Sequence, residues 1–121
     1  MESTKIRYIV LLLSLILSSI KVKAYDLEMD GLCYNIISDN QVEVTYKNGN
    51  GDSYTGAISI PDNIEYNGMS YAVTSIGEKA FYYCGGLTSV ILSNNVNSIG
   101  ERAFNNCYNL THIAASVELH F

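Results

Sequence analysis

Asp26-x-Glu28-x-Asp30-Gly31 has the spacing that opens an oxygen-lined calcium loop. Such a loop closes on a bidentate Glu at its twelfth position, and that position here is Ile37. The three acids therefore fit a solvated strand face, and no metal is expected. Cys33, Cys84, Cys107, His112 and His120 are the remaining soft ligands, nucleophiles or bases. None falls in a C-x-x-C or H-x-x-x-H spacing, and nothing pairs a thiol with an activating base. Asn109-Leu-Thr111 spells a glycosylation acceptor, while Asn48, Asn50 and Asp52 are ordinary turn residues. There is no phosphate loop and no paired-carboxylate arrangement, so neither catalysis nor a cofactor is expected. Tyr82, Tyr83 and Tyr108, set among Asn and Gly, fit either an adaptable contact surface or a plain outer cover.

Charge narrows the partners. The chain has 121 residues and a net charge of −5, with 4 of its 7 Lys/Arg in residues 1–24. The other 97 residues carry 3 Lys/Arg against 11 Asp/Glu, a net −8. That balance excludes nucleic acid, which needs clustered cations. Residues 1–24 read as a secretory signal peptide: Lys5 and Arg7 open it, Tyr8 to Ile20 form a 13-residue apolar run, and Val22-Lys23-Ala24 offers a cleavage site. A membrane span needs about 20 apolar residues. The expected product is secreted or held at the cell surface, or left in the periplasm, with no membrane insertion after cleavage.

What positions these residues is a repeat. Residues 73–95 and 96–118 are identical at 11 of 23 positions. Val73, Ile76, Ala80, Phe81, Cys84, Leu87 and Val90 answer to Val96, Ile99, Ala103, Phe104, Cys107, Leu110 and Ile113, while the positions between them drift. A fixed apolar ladder with variable polar rungs marks a solenoid, each coil stacking its inward side chains on the next. Leu87 to Leu92 reads as a strand, and apolar residues at 80, 81 and 84 suit a short helical turn stopped by Gly85-Gly86. A repeat of this length, with one strand and one turn in it, lies in the leucine-rich-repeat range. Cys84 and Cys107 share a repeat position. A disulfide there would need Cα atoms about 4.4–6.8 Å apart, and the reading favours reduced thiols used as small apolar fillers.

The string I-G-x-x-A-F-x-x-C-x-x-L-T, present at 76–88 and again at 99–111, resembles the BspA-like leucine-rich repeats of bacterial surface proteins. Tyr25 to Gly31, the strands at 34–36 and 42–47, Ile60-Pro61 and Tyr66-Asn-Gly68 are similar to the N-terminal segment of such proteins from Bacteroides-type bacteria. The resemblance implies an exported, non-catalytic repeat protein that contacts protein or glycan outside the cell.

Residues 25–72 read as a β cap over the first coil. Val42, Val44 and Tyr46 alternate, Tyr54 to Ile60 forms another strand, and Asn67-Gly68 turns a hairpin. The expected fold is mostly β with short helical turns, an α/β solenoid. It comprises the cap at 25–72, coils at 73–95 and 96–118, and a tail at 119–121. The second coil ends differently from the first, exposing Ile113, Leu119 and Phe121, so self-association through it is expected. The competing expectation is a truncated structural relic, or a capping fragment of a longer array, with no ligand of its own.

Overall fold

The computed structural model describes residues 24–115. Residues 1–23, within the expected signal segment, and the tail residues Leu119 and Phe121 fall outside the described residues. Nine strands follow one another: β1 (Leu27–Met29), β2 (Leu32–Ser38), β3 (Gln41–Thr45), β4 (Gly56–Ser59), β5 (Asn63–Tyr66), β6 (Met69–Ile76), β7 (Leu87–Leu92), β8 (Ser98–Ile99) and β9 (His112–Ala115). They form two sheets. In one, β1-β2-β3-β6-β5 lie side by side and β8 pairs with β6; in the other, β4-β7-β9 run parallel.

The repeat is visible as register. Ile76 pairs with Ile99 and Val90 with Ile113, each one repeat apart, so matching residues of neighbouring coils lie side by side. Parallel strands need a crossover between them, and here each crossover is the rest of the coil. A further coil lies upstream. Val44 pairs with Ile76 and Ile58 with Val90, and both pairings are parallel. The stretch of chain from Val44 to Ile58 equals in length those from Ile76 to Val90 and from Ile99 to Ile113. Residues 41–60 thus trace the first coil of three. An antiparallel hairpin arm, β5 against the start of β6, is inserted before the second. Its turn residues Asn67 and Gly68 have φ of 51° and 77°, the left-handed pair that a two-residue hairpin turn requires.

The expected helical turn at 77–84 is not there. Residues 78–83 are two successive tight turns, with Lys79 at φ 58° and Tyr83 at φ 53°. The reason lies in where the amides point. Ala80, Tyr82 and Cys84 donate three residues back, to Gly77, Lys79 and Phe81 carbonyls. Lys79, Phe81 and Tyr83 donate instead to the next coil, to Glu101, Ala103 and Asn105 carbonyls at 3.1, 2.8 and 2.9 Å. A helix would send every amide along its own axis. The left-handed residues rotate alternate amides outward, and Arg102 (58°) and Asn106 (61°) repeat the device one coil on.

The core is a column through the coils. Phe81 is buried, its ring parallel to Phe104 with centroids 5.1 Å apart, and Tyr54 packs on its other side, also at 5.1 Å. Tyr54 ties this column to the upstream strands, since its hydroxyl donates to the Thr45 carbonyl and accepts from the Cys33 amide. Val42, Val73, Leu87, Val90, Ala80 and Cys84 are buried around it. Replacing Phe81 by Ala should cost about 3–5 kcal/mol, a large fraction of the roughly 5–15 kcal/mol that holds a domain folded. Phe104→Ala should cost roughly half, because Phe104 is only partly buried. Urea unfolding of both variants measures the difference, and equal losses would refute the column.

Burial raises the thiols of Cys33, Cys84 and Cys107 and the hydroxyls of Tyr34, to about 12, and Tyr54. A group whose folded pKa is raised stabilises the fold fully below its unfolded pKa and loses that contribution as pH rises through the folded value. Urea midpoints should therefore be flat across neutral pH and fall from about pH 9 towards 12. A midpoint unchanged between pH 7 and 11 would contradict this.

Candidate functional site

The residues with chemical potential are mostly absorbed by the fold. The Asp26 carboxylate accepts the Ile36 amide at 2.8 Å, and Glu28 pairs with Lys47 at 3.3 Å. Asp30 opens the β1–β2 turn at φ 50°. The three acids of the calcium-like string thus have separate positions. Among the described residues no cluster of three or more His, Cys, Asp or Glu is placed to hold a metal. The three thiols are free. Cys107 donates to the Phe81 carbonyl at 2.9 Å and Cys84 to the Tyr82 carbonyl at 3.8 Å, so both sulfurs serve the coil backbone. Desolvation, the largest influence on each, keeps them protonated and poorly nucleophilic. His112 is exposed beside the Thr111 hydroxyl at 2.8 Å, and His120 lies outside the described residues. Asn109 donates its side-chain amide to the Gly85 carbonyl at 2.6 Å, and Thr111 donates to the Thr88 carbonyl at 3.2 Å. The acceptor spelling at 109–111 is thus occupied by coil-to-coil bonds.

Of the fourteen ladder residues, Val73, Ile76, Ala80, Phe81, Cys84, Leu87, Val90 and Ala103 are buried. Val96, Phe104, Cys107 and Leu110 pack against them partly buried, while Ile99 and Ile113 stay 50 % and 47 % exposed. The gradient follows position. Second-coil residues are covered on both sides, whereas those of the third are covered on one by the described chain.

The tyrosines lie on the outer turns. Tyr82 is half-buried, Tyr83 is 44 % exposed and Tyr108 75 %. Tyr82 and Tyr83 meet edge to face with centroids 4.6 Å apart, and the Lys79 ammonium lies 5.4 Å from the Tyr82 ring. The Tyr83 amide donates to Asn105, and the Tyr108 hydroxyl donates to the Asn106 side chain at 3.3 Å. Tyr83, Asn105, Asn106 and Tyr108 therefore form one strip across two coils. Behind it the loop at 47–53 closes in. The Asp52 amide donates to the Tyr82 carbonyl at 3.1 Å, and Gly51, at φ 100°, leaves no room for a Cβ, which would meet Tyr83 Cβ at 2.6 Å. Lys79 and Gly51 are members of this face that sequence reasoning passed over. The matched Lys79/Arg102 pair was the available signal; for Gly51 there was none, because its neighbours come from another coil.

A family profile described as BspA type leucine rich repeat region (6 copies) matches residues 53–120. No curated protein matches the chain. Among solved structures, a leucine-rich repeat protein from Bacteroides ovatus is 33 % identical with a TM-score of 0.64, over 74 % of this chain and 23 % of that one. One from Bacteroides capillosus is 29 % identical with a TM-score of 0.62, over 74 % and 64 %. A leucine rich cell surface protein from Faecalibacterium prausnitzii shares the fold, with a TM-score of 0.62 at 23 % identity, over 82 % and 24 %. The chain thus spans about a quarter of the length of the first and last of these. The matched profile begins at residue 53, inside the first coil traced by the strands. Register, repeat string and profile agree that this chain belongs to the BspA-type leucine-rich repeat family.

Proposed function

We propose that the chain is an exported, non-catalytic binding module, and that the strip of Tyr82, Tyr83 and Tyr108 contacts protein or glycan outside the cell. Export rests on the N-terminal apolar segment, and it accords with a cell-surface relative of the same fold. Of residues 25–72, expected as a cap throughout, 41–60 form the first coil, and in this reading the antiparallel strands β1 and β2 act as the cap upstream of it.

One observation carries the proposal. A bulky side chain at positive φ is strained by about 1–2 kcal/mol, and Tyr83 occupies such a position while less than half of its surface is exposed. The equivalent site one coil on holds Asn106, a residue that tolerates this backbone at little cost. Tyr83 is thus retained against its local conformational preference, and exposed rigid aromatics are the side chains that give most binding energy per ordered rotamer. A second reading, a capping piece without a ligand that self-associates, draws on Ile99 and Ile113, half-exposed on the side of the third coil that the described residues leave uncovered.

The readings separate by experiment. Tyr83→Asn should leave the melting temperature unchanged or raise it, because relief of about 1–2 kcal/mol of backbone strain offsets a ring contact of about 0.5–1.5 kcal/mol. The same substitution should lower binding to immobilised glycans, collagen or laminin by about thirtyfold. A fall in melting temperature with binding intact would overturn the assignment. Under the second reading Ile99→Ser with Ile113→Ser should convert a concentration-dependent oligomer to monomer in sedimentation.

A further inference from the structure

Away from the tyrosine strip, a groove of about 380 Å³ runs between the β1–β2 turn, the end of β4 and β5. Met29, Leu32 and Ile64 give it apolar walls, and Asp30 and Glu65 bring two carboxylates. Its lining holds no Lys, Arg or His, and neither carboxylate is in an ion pair among the described residues. Tyr34 also lines it and is only 1 % exposed, yet its hydroxyl has no hydrogen-bond partner among the described residues. No side-chain oxygen or nitrogen there is both sealed from solvent and unpartnered. The trace of exposure Tyr34 keeps therefore belongs to its hydroxyl, which opens into the groove. Desolvation first, and then the Asp30 charge, hold that hydroxyl neutral.

This set has a definite complement. The Tyr34 hydroxyl has no protein partner among the described residues and is reached only through the groove, so whatever occupies the groove supplies its hydrogen bond in place of water. Two carboxylates supply only acceptors and negative charge. Ser59 and Asn63 also line the groove and bring hydroxyl and amide donors, but a neutral sugar would leave both carboxylates without a counter-charge, whereas a cation on an apolar stem matches walls, rim and hydroxyl together. We propose that this groove binds a lysine or arginine side chain of a basic partner polypeptide. The acidic chain, −8 over residues 25–121, steers such a partner towards it.

The proposal stands apart from the tyrosine strip, and its test separates the two. The purified protein, labelled with 15N, is titrated with Nα-acetyl-lysine methylamide, its Nζ-acetylated form and N-acetylglucosamine. The lysine probe should shift the amides of Asp30, Gly31 and Glu65 and saturate on the order of 1 mM, as expected for a ligand of that size. Acetylation should abolish the shifts. Asp30→Asn with Glu65→Gln should weaken binding at least about tenfold, and Tyr34→Phe, which keeps the packing, about threefold or more. Raising salt towards 1 M should weaken it further. Tyr83→Asn should leave all of this unchanged. Saturation by the acetylated probe or the sugar at these amides, full affinity in the double variant, or no saturation by about 100 mM would each overturn the proposal.

Discussion

The structure depends on a division of labour among backbone amides. In the turn between strands, every second amide bonds within its own coil and the others bond to the coil that follows. Only left-handed residues at 79 and 83 permit that alternation, and the same backbone recurs at 102 and 106. Buried polar groups must be paired, so coils can approach closely only when their turn amides meet the carbonyls opposite. That fixes the stacking register, and the register then places Phe81 on Phe104 and Ile76 beside Ile99. Packing energy comes from the column of side chains; the choice of which residues meet comes from the amides.

In the outer turns amides lead and carbonyls receive, so the two faces of that part of a coil differ. Lys79, Phe81 and Tyr83 donate downstream, while upstream the Tyr82 carbonyl accepts from Asp52. A coil therefore complements its neighbour and not itself, which is how a solenoid acquires direction. The upstream end is closed by a change of pairing. β2 lies antiparallel on β3, and Tyr54 anchors to that region by bonding both the Thr45 carbonyl and the Cys33 amide. The Tyr54 ring is also the upstream neighbour of Phe81. A single side chain thus joins the closing strands to the aromatic column, so loosening one loosens the other.

Much of this was legible because copies betray themselves. The offset between the two matched segments is the observed register of β6 with β8 and of β7 with β9, and Asn67-Gly68 makes the hairpin its chemistry demands. Two features were hidden for physical reasons. Apolar residues at 80, 81 and 84 have helical spacing, yet what decides the turn is the carbonyl row of another coil, absent from any local window. The first coil escaped because the β5 arm inserted after it lengthens the offset to its neighbour, and because at that offset its residues differ, Gly49 standing where Phe81 does and Asp52 where Cys84 does. Its strand-to-strand spacing survived, since closure of the coil depends on that length and not on the insertion. Among the candidate residues, Tyr83 and Tyr108 could be placed outside from their drift between copies. The groove could not, because it joins three segments that the sequence keeps apart.

The two surfaces differ in chemistry because they arise differently. Turn positions between the ladder residues carry no packing duty, so they can vary freely, and here they hold tyrosine and asparagine with two cations, Lys79 and Arg102. Contact through them draws on aromatic area and amide hydrogen bonds, which depend weakly on salt. The groove belongs to the non-repeating part, where hairpin arm and closing strands fail to fill the space between them. Its carboxylates remain because solvent at the rim hydrates them, and its hydroxyl remains because the aromatic ring beneath it is needed in the core. Filling that space with apolar side chains would stabilise the cap, as cavity filling commonly does. The non-repeating part instead keeps an open, acidic recess at a cost in packing, and that recess is the space the proposed cationic side chain would fill.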